Sequence, residues 1–144
     1  MEDKKDNLTK YDLHKVGGIL LKERKLLICR TKGKKSFIAP GGKLKKGEGV
    51  IQALQRELKE ELSISVLDSD ISEFGVFYAP AAEDEKNILR MDVFFVKRWE
   101  GALKPSSEID EIAWISTNFP ETMSIGSIFE HQVIPRLKQR GMID

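Results

Sequence analysis

The clearest pattern of apolar and polar positions lies in the middle of the chain. Over residues 50–62, the apolar residues Ile51, Leu54, Leu58 and Leu62 recur at a spacing of three or four, while Glu, Gln and Lys fill most other positions. Apolar residues at that spacing line one side of a helix. The pattern therefore predicts an amphipathic α-helix with one buried face, built largely from good helix formers.

Shorter apolar runs on both sides of this helix predict strands. HKVGGILL and LLICR, separated by the four charged residues Lys22 to Lys25, predict a β-hairpin, although its turn lacks the usual Asn-Gly signal. Runs rich in β-branched and aromatic residues predict strands over residues 64–67, 71–78, 88–96 and 113–115. A final helix is predicted over residues 124–139, with Pro135 as a candidate kink. Together these elements predict an α/β (α+β) chain, in which a mixed β-sheet is covered by helices on both faces.

Composition narrows the class of protein. The 144 residues include 24 Lys and Arg against 23 Asp and Glu, a formal net charge of +1. That balance argues against a partner such as DNA or RNA, because proteins that coat nucleic acids are usually strongly basic. Cys29 is the only cysteine, so neither an internal disulfide nor a Cys-rich zinc site is possible. The charged start and the short apolar runs indicate no signal peptide and no membrane span, so we expect a cytoplasmic protein.

The predicted central helix carries the candidate chemistry. Glu57, Glu60 and Glu61 stand at positions i, i+3 and i+4, so their carboxylates project from one face. Like charges at that spacing repel, whereas a hard divalent cation such as Mg²⁺ prefers oxygen ligands of this kind. Arg56 lies four residues before Glu60, so we expect its side chain to form an ion pair with the Glu60 carboxylate and to orient it. The alternative interpretation is a solvated helix face rich in Glu and Lys.

The spacing around this helix resembles a known family motif. The chain has Gly42, then five residues, Glu48, seven residues and RELKEELSI from residue 56. This spacing is similar to the Nudix box, G-x5-E-x7-R-E-U-x-E-E-x-G-U, where U is aliphatic. The specified positions match except Ser63, where the family has Gly. That residue follows the predicted helix end, where a left-handed backbone favours glycine, so Ser63 is expected to cost roughly 1 kcal/mol or to shift the cap.

The resemblance implies a fold and a set of residue roles. The implied fold is the Nudix-type α/β/α sandwich with a mixed β-sheet between helices. Glu57, Glu60 and Glu61, with the Gly42 carbonyl, are the implied ligands of Mg²⁺, with Mn²⁺ as the alternative metal. Arg56 and Glu48 are expected to hold the box in shape through ion pairs. The implied general base is Glu57 or Glu108, with Glu111 behind them, while Arg30 and Lys43 are candidates for contact with substrate phosphate.

The implied activity is hydrolysis of the pyrophosphate bond of a nucleoside diphosphate linked to another moiety. Metal ions serve such a reaction by neutralising phosphate oxygens and by activating water. Oxidised nucleotides, ADP-ribose and dinucleoside polyphosphates remain open as substrates. The alternative is a non-catalytic Nudix fold that senses a nucleotide. We expect residues 1–10 to form a flexible N-terminus and residues 11–144 a single Nudix domain, which acts as a monomer or homodimer on a small polyanion, with no nucleic-acid polymer and no membrane as partner.

Overall fold

The computed structural model describes residues 10–81 and 84–144. The expected flexible N-terminus, apart from Lys10, lies outside these residues. Within them the chain forms eight strands: β1 (Leu13–Ile19), β2 (Leu21–Lys22), β3 (Lys25–Thr31), β4 (Phe37–Ile38), β5 (Gly41–Lys43), β6 (Ile71–Pro80), β7 (Ile88–Val96) and β8 (Ile109–Ile115). The helical elements there are α1 (Val50–Leu62), a 3₁₀ turn (Asp68–Asp70), a π-helical turn (Phe129–Val133) and α2 (Ile134–Gln139).

The strands form two sheets within the described part of the chain. The mixed sheet has the order β5-β1-β7-β6, with β1 parallel to β7 and the other two pairs antiparallel. In the second sheet, β3 pairs antiparallel with β2, β4 and β8. The predicted α+β class with a mixed sheet is therefore confirmed, and a second, antiparallel sheet accompanies the mixed one.

The two longest helical segments cover opposite faces of the mixed sheet. Helix α1 packs its apolar face, which includes Leu54 and Leu58, on the side of Val16. The C-terminal helical segment packs Leu137 on the other side, against a cluster that contains Val93. Because each of these side chains is fully or almost fully buried, each contributes roughly 1.5–3 kcal/mol of apolar burial. This arrangement confirms the sandwich that the sequence pattern predicts.

The predicted hairpin is shorter than expected, because its first apolar run, HKVGGILL, is divided between the two sheets. Strand β2 pairs with β3 through a two-residue turn at Glu23 and Arg24, whose φ angles are 51° and 63°. Two consecutive positive φ angles define the tight turn that fits the twist of a hairpin, here without glycine or asparagine. The preceding strand β1 pairs instead with β5 and β7, so the chain changes sheets at Leu20.

Two other predicted elements differ from the structure. Residues 64–67 form no strand, because only Ser65 pairs, in an isolated bridge with Glu100. The last helix begins at residue 127 rather than 124, and a π-helical turn immediately precedes the residues around Pro135. None of the helices in the described part of the chain has the length and apolar character that a bilayer crossing requires.

Candidate active site

Strand β5 brings two glycines against the acidic face of α1. An added Cβ on Gly42 would lie 2.5 Å from Oε2 and 2.7 Å from Cδ of Glu57, so the Glu57 carboxylate occupies the space that any larger residue would fill. Gly41 has a φ of 142°, a conformation that side chains rarely adopt, and its N–H donates to Oε1 of Glu61 at 3.0 Å. The glycines therefore allow the backbone to approach two carboxylates of the helix.

Arg56 ties the loop before α1 to the carboxylates on it. Its Nε donates to Glu48 Oε2 at 2.6 Å and its Nη2 to Glu48 Oε1 at 2.9 Å, a bidentate pair. Its Nη1 donates to Glu57 at 2.7 Å and to Glu60 at 3.3 Å, and its Nη2 also donates to the Lys43 carbonyl at 3.1 Å. The ion pair predicted between Arg56 and Glu60 is therefore present, and Arg56 and Glu48 hold the loop on the helix.

The electrostatics of the three carboxylates differ with burial. Burial raises the pKa of Glu61 to about 8, and repulsion from Glu57 and Glu60 and a hydrogen bond with Glu57 add to this against the opposing Gly41 N–H. Burial also raises the pKa of Glu57, although Arg56 opposes that shift. This pKa favours the protonated form of Glu61 near neutral pH as long as no cation is bound beside it.

These carboxylates fit a divalent cation in part. As they stand, no three His, Cys, Asp or Glu side chains within residues 10–81 and 84–144 are grouped closely enough to hold a metal ion. Glu60 instead pairs with Arg56, and Glu61 accepts from the Gly41 N–H. The crowded pair of Glu57 and Glu61 is nevertheless the donor set that a hard cation favours, since the cation would replace the proton and relieve their repulsion.

The loop that follows β7 is fastened to the C-terminal end of α1. Ser63, which replaces the family's glycine, has the left-handed φ of 61° that its position predicts. Its Oγ lies 3.3 Å from the Oγ of Ser106, which also donates to the Glu60 carbonyl at 2.6 Å. Glu108 follows two residues later with an exposed side chain, and its backbone carbonyl accepts from the backbone N–H of Lys32. The structure therefore brings the loop of Glu108 to the helix end without recording a contact of its carboxylate with the box.

A cavity of about 240 Å³ lies on the opposite side of β5 from Glu57. Lys43, which the sequence analysis names as a candidate phosphate contact, lines it together with Lys15, Gly41 and Ser127. Most of the wall is apolar, and its larger side chains are Leu13, Ile38, Leu89, Met91, Ile128 and Phe129. This combination suits an apolar group attached to a charged one.

Arg30, the other predicted phosphate contact, is engaged elsewhere. Its guanidinium donates to Glu111 at 3.0 Å and to Asp110 at 3.2 Å, as well as to the Lys34 carbonyl at 3.2 Å. It does not line the cavity. The sequence analysis did not single out Lys15 or Phe129 as lining a cavity, because the pairing of distant strands brings Lys15 there and the C-terminal helical segment brings Phe129.

Comparisons with known proteins place this geometry in a family. The site consists of carboxylates on one helix that an arginine contacts and that lie against two glycines of a neighbouring strand, on an α/β/α sandwich. The family model described as the NUDIX domain matches residues 13–124. The chain therefore belongs to the Nudix family, and the predicted resemblance is confirmed.

Relatives and solved structures show the same likeness. The chain is 40% identical over 83 residues to an "8-oxo-dGTP diphosphatase" from Buchnera aphidicola subsp. Acyrthosiphon pisum (strain APS), a match that covers 57% of this chain and 63% of that relative. It is 31% identical over 123 residues to an "ADP-ribose pyrophosphatase" from Methanocaldococcus jannaschii, covering 80% and 71%. The solution structure of the E. coli ORF135 protein matches with a TM-score of 0.70 at 21% identity, over 92% of this chain and 94% of that one. The match thus spans less than two thirds of the length of the first of these relatives.

Proposed function

We propose that this chain is a metal-dependent hydrolase that cleaves the pyrophosphate bond of a nucleoside diphosphate linked to another moiety. The observation that carries the proposal is the crowded pair of Glu57 and Glu61 against Gly41 and Gly42 of strand β5, within a complete set of Nudix-box glutamates. The names of the two relatives, which refer to 8-oxo-dGTP and ADP-ribose, support a nucleotide derivative as substrate.

In this proposal the residues of the box divide the work. Glu57, Glu60 and Glu61, with the Gly42 carbonyl, hold Mg²⁺ or Mn²⁺. When bound, such an ion neutralises phosphate oxygens and lowers the pKa of a coordinated water. Arg56 positions the carboxylates through its contacts with Glu57 and Glu60.

Two glutamates compete for the role of general base. Glu57 lies against Gly42 and is held by Arg56, whereas Glu108 is exposed on the loop fastened to the end of α1. A base needs to accept a proton from water, whereas a metal ligand needs to hold the ion. Comparing Glu57→Gln with Glu108→Gln across pH separates these roles, because loss of the base lowers kcat without weakening metal binding.

The test is a panel of substrates with purified protein. Oxidised and normal nucleoside triphosphates, ADP-ribose and dinucleoside polyphosphates are incubated with Mg²⁺, with Mn²⁺ or with EDTA, and products are separated by chromatography. We expect turnover of at least one substrate with metal and none with EDTA. Glu60→Gln and Glu61→Gln are each expected to lower the rate by about 10²-fold or more, whereas Glu121→Gln, an exposed loop residue, serves as the matched control. Nucleotide binding without turnover of any substrate would instead support the alternative, a non-catalytic sensor.

A further inference from the structure

The last carbonyls of α1 bond to a loop from elsewhere in the chain. A helix leaves its final backbone carbonyls without partners inside the helix. At this helix end, the Ser106 hydroxyl donates to the Glu60 carbonyl at 2.6 Å, and the Ser106 N–H donates to the Glu61 carbonyl at 2.9 Å. The Lys104 N–H donates to the Leu62 carbonyl at 3.0 Å. Two of these three bonds come from Ser106, which therefore caps the helix end that carries Glu60 and Glu61.

The same loop holds Glu108 between two anchors. Ser106 is the first, and the second is strand β8, which begins at Ile109 and pairs with β3. The Ile109 N–H donates to the Ser106 carbonyl at 3.1 Å, which closes a turn that contains Glu108. The Glu108 carbonyl also accepts from the Lys32 N–H at 2.8 Å. Because two residues span at most about 7 Å, the α-carbon of Glu108 lies within that distance of the cap on α1.

The neighbouring acidic side chains are engaged by another residue. Arg30 donates to Asp110 at 3.2 Å and to Glu111 at 3.0 Å, which fastens the start of β8 to β3. The Glu108 side chain is exposed. Within residues 108–111, Glu108 is thus the acidic residue whose side chain Arg30 does not contact.

We propose that Ser106 is a positioning residue whose hydroxyl fixes Glu108 relative to Glu60 and Glu61. The inference rests on the proposed function, since it gives Glu108 a part in the reaction, and Ser106 acts through Glu108 rather than on the substrate. Removing the hydroxyl takes away one of the three bonds between the loop and α1. The two N–H bonds remain, so the loop is loosened but stays on the helix.

The first measurement needs neither metal nor turnover. Amide hydrogen exchange, followed by NMR in EDTA, reports the N–H groups of Lys104 and Lys32, which bond on the two sides of the loop. We expect Ser106→Ala to speed exchange at both about tenfold, the effect of losing one hydrogen bond, and to leave the amides of β7 unchanged. Ser106→Thr keeps the hydroxyl and is expected to restore the slow exchange.

Kinetics with Mg²⁺ tests whether the loop acts through Glu108. Ser106→Ala is expected to lower kcat about tenfold and to leave KM within about twofold, because the hydroxyl is not placed on the substrate. In the Glu108→Gln background, the same change is expected to alter kcat by less than about twofold, since the residue through which it acts is gone. Mn²⁺ affinity, measured by calorimetry, is expected to stay unchanged because Glu60 still pairs with Arg56.

Ser65→Ala supplies the matched control. Ser65 follows the same helix end, but its hydroxyl accepts from Lys59 Nζ at 3.4 Å and its backbone pairs with Glu100. This variant is expected to leave amide exchange, kcat and Mn²⁺ affinity unchanged. A change confined to Ser106→Ala then reports the bond to α1 and not the loss of any serine near the helix end.

The outcomes separate this inference from the proposed function. Unchanged exchange in Ser106→Ala, or an equal loss of kcat with and without Glu108→Gln, would overturn the role of Ser106 even if the chain hydrolyses nucleotides. Full kcat in Glu108→Gln would overturn it as well and would leave Glu57 as the candidate base. Faster exchange that Ser106→Thr reverses, with no metal-dependent turnover of any substrate, would support Ser106 as the anchor of the loop and count against the hydrolase.

Discussion

Replacing Gly42 by alanine tests whether the approach of β5 to α1 positions Glu57. The new Cβ would lie 2.5 Å from Oε2 of Glu57, about 0.9 Å closer than the 3.4 Å at which ordinary contacts begin. Since Arg56 holds the same carboxylate at 2.7 Å, the Glu57 side chain has to move as a unit with its partner. A displacement of about 1 Å in a catalytic group costs about 10²-fold in rate, so kcat with Mg²⁺ is expected to fall by that order.

The matched control for this change is Gly49→Ala, in the loop that joins β5 to α1. A Cβ on Gly49 would meet its nearest neighbour, Oε1 of Gln52, at 3.6 Å, and the φ of −79° suits alanine. Both variants are assayed for kcat, for Mn²⁺ affinity by calorimetry and for thermal unfolding. We expect Gly42→Ala alone to lose activity and metal affinity while its melting temperature stays within a few degrees of the unmodified chain. Activity of Gly42→Ala within twofold of the unmodified chain, or an equal loss in Gly49→Ala, would refute the reasoning.

Three further predictions concern charge and protonation. Burial, with a smaller effect from the charge of Glu61, raises the pKa of the Cys29 thiol. Iodoacetamide at pH 8 is therefore expected to label this thiol only after unfolding in guanidinium, which mass spectrometry measures. Rapid labelling of the native chain would contradict this expectation. The pKa of Glu61 rises from 4.5 to about 8 on folding, so in EDTA its stabilising contribution is full below pH 4.5 and is lost as the pH rises through 8. Urea unfolding is therefore expected to show a decline of up to about 1.4 kcal/mol per pH unit that Glu61→Gln flattens. The Arg56 side chain and the Lys45 N–H lower the pKa of Glu48 to about 2, so Glu48 stays charged at all working pH values. Glu48→Gln would free Arg56 from its ion pair and is therefore expected to lower kcat about tenfold, with an unchanged pH profile.

The features that the sequence predicts well are those fixed by local spacing. The bounds of α1 agree with the prediction because its apolar period lies within thirteen consecutive residues. Strand β7 was likewise predicted with its observed bounds, since β-branched and aromatic residues fill it. The run at residues 64–67 has a similar apolar character, yet it forms no strand because Ser65 finds only one bridge partner. Local composition predicts extended backbone but does not provide the neighbouring strand.

Long-range pairing explains what the sequence could not predict about the site. The parallel pairing of β1 with β7 joins residues more than seventy positions apart, and this pairing places Lys15 beside Met91 in the cavity. The engagement of Arg30 by Glu111 depends in the same way on the pairing of β3 with β8. The proposed roles of the box carboxylates follow from spacing on one helix, whereas the lining of the cavity depends on strand register.

Ser63 shows how a departure from a family pattern is resolved by its surroundings. The left-handed backbone that the pattern requires is kept at φ 61°, at a cost of roughly 1 kcal/mol relative to glycine. Its hydroxyl lies 3.3 Å from that of Ser106, which also donates to the Glu60 carbonyl, so the serine adds a link between the end of α1 and the loop of Glu108. Glycine would relieve the backbone but remove this link. Ser63, where the chain departs from the box, thus lies where the end of α1 contacts the loop of Glu108. Serine in place of glycine therefore changes the local geometry there and removes none of the candidate metal ligands.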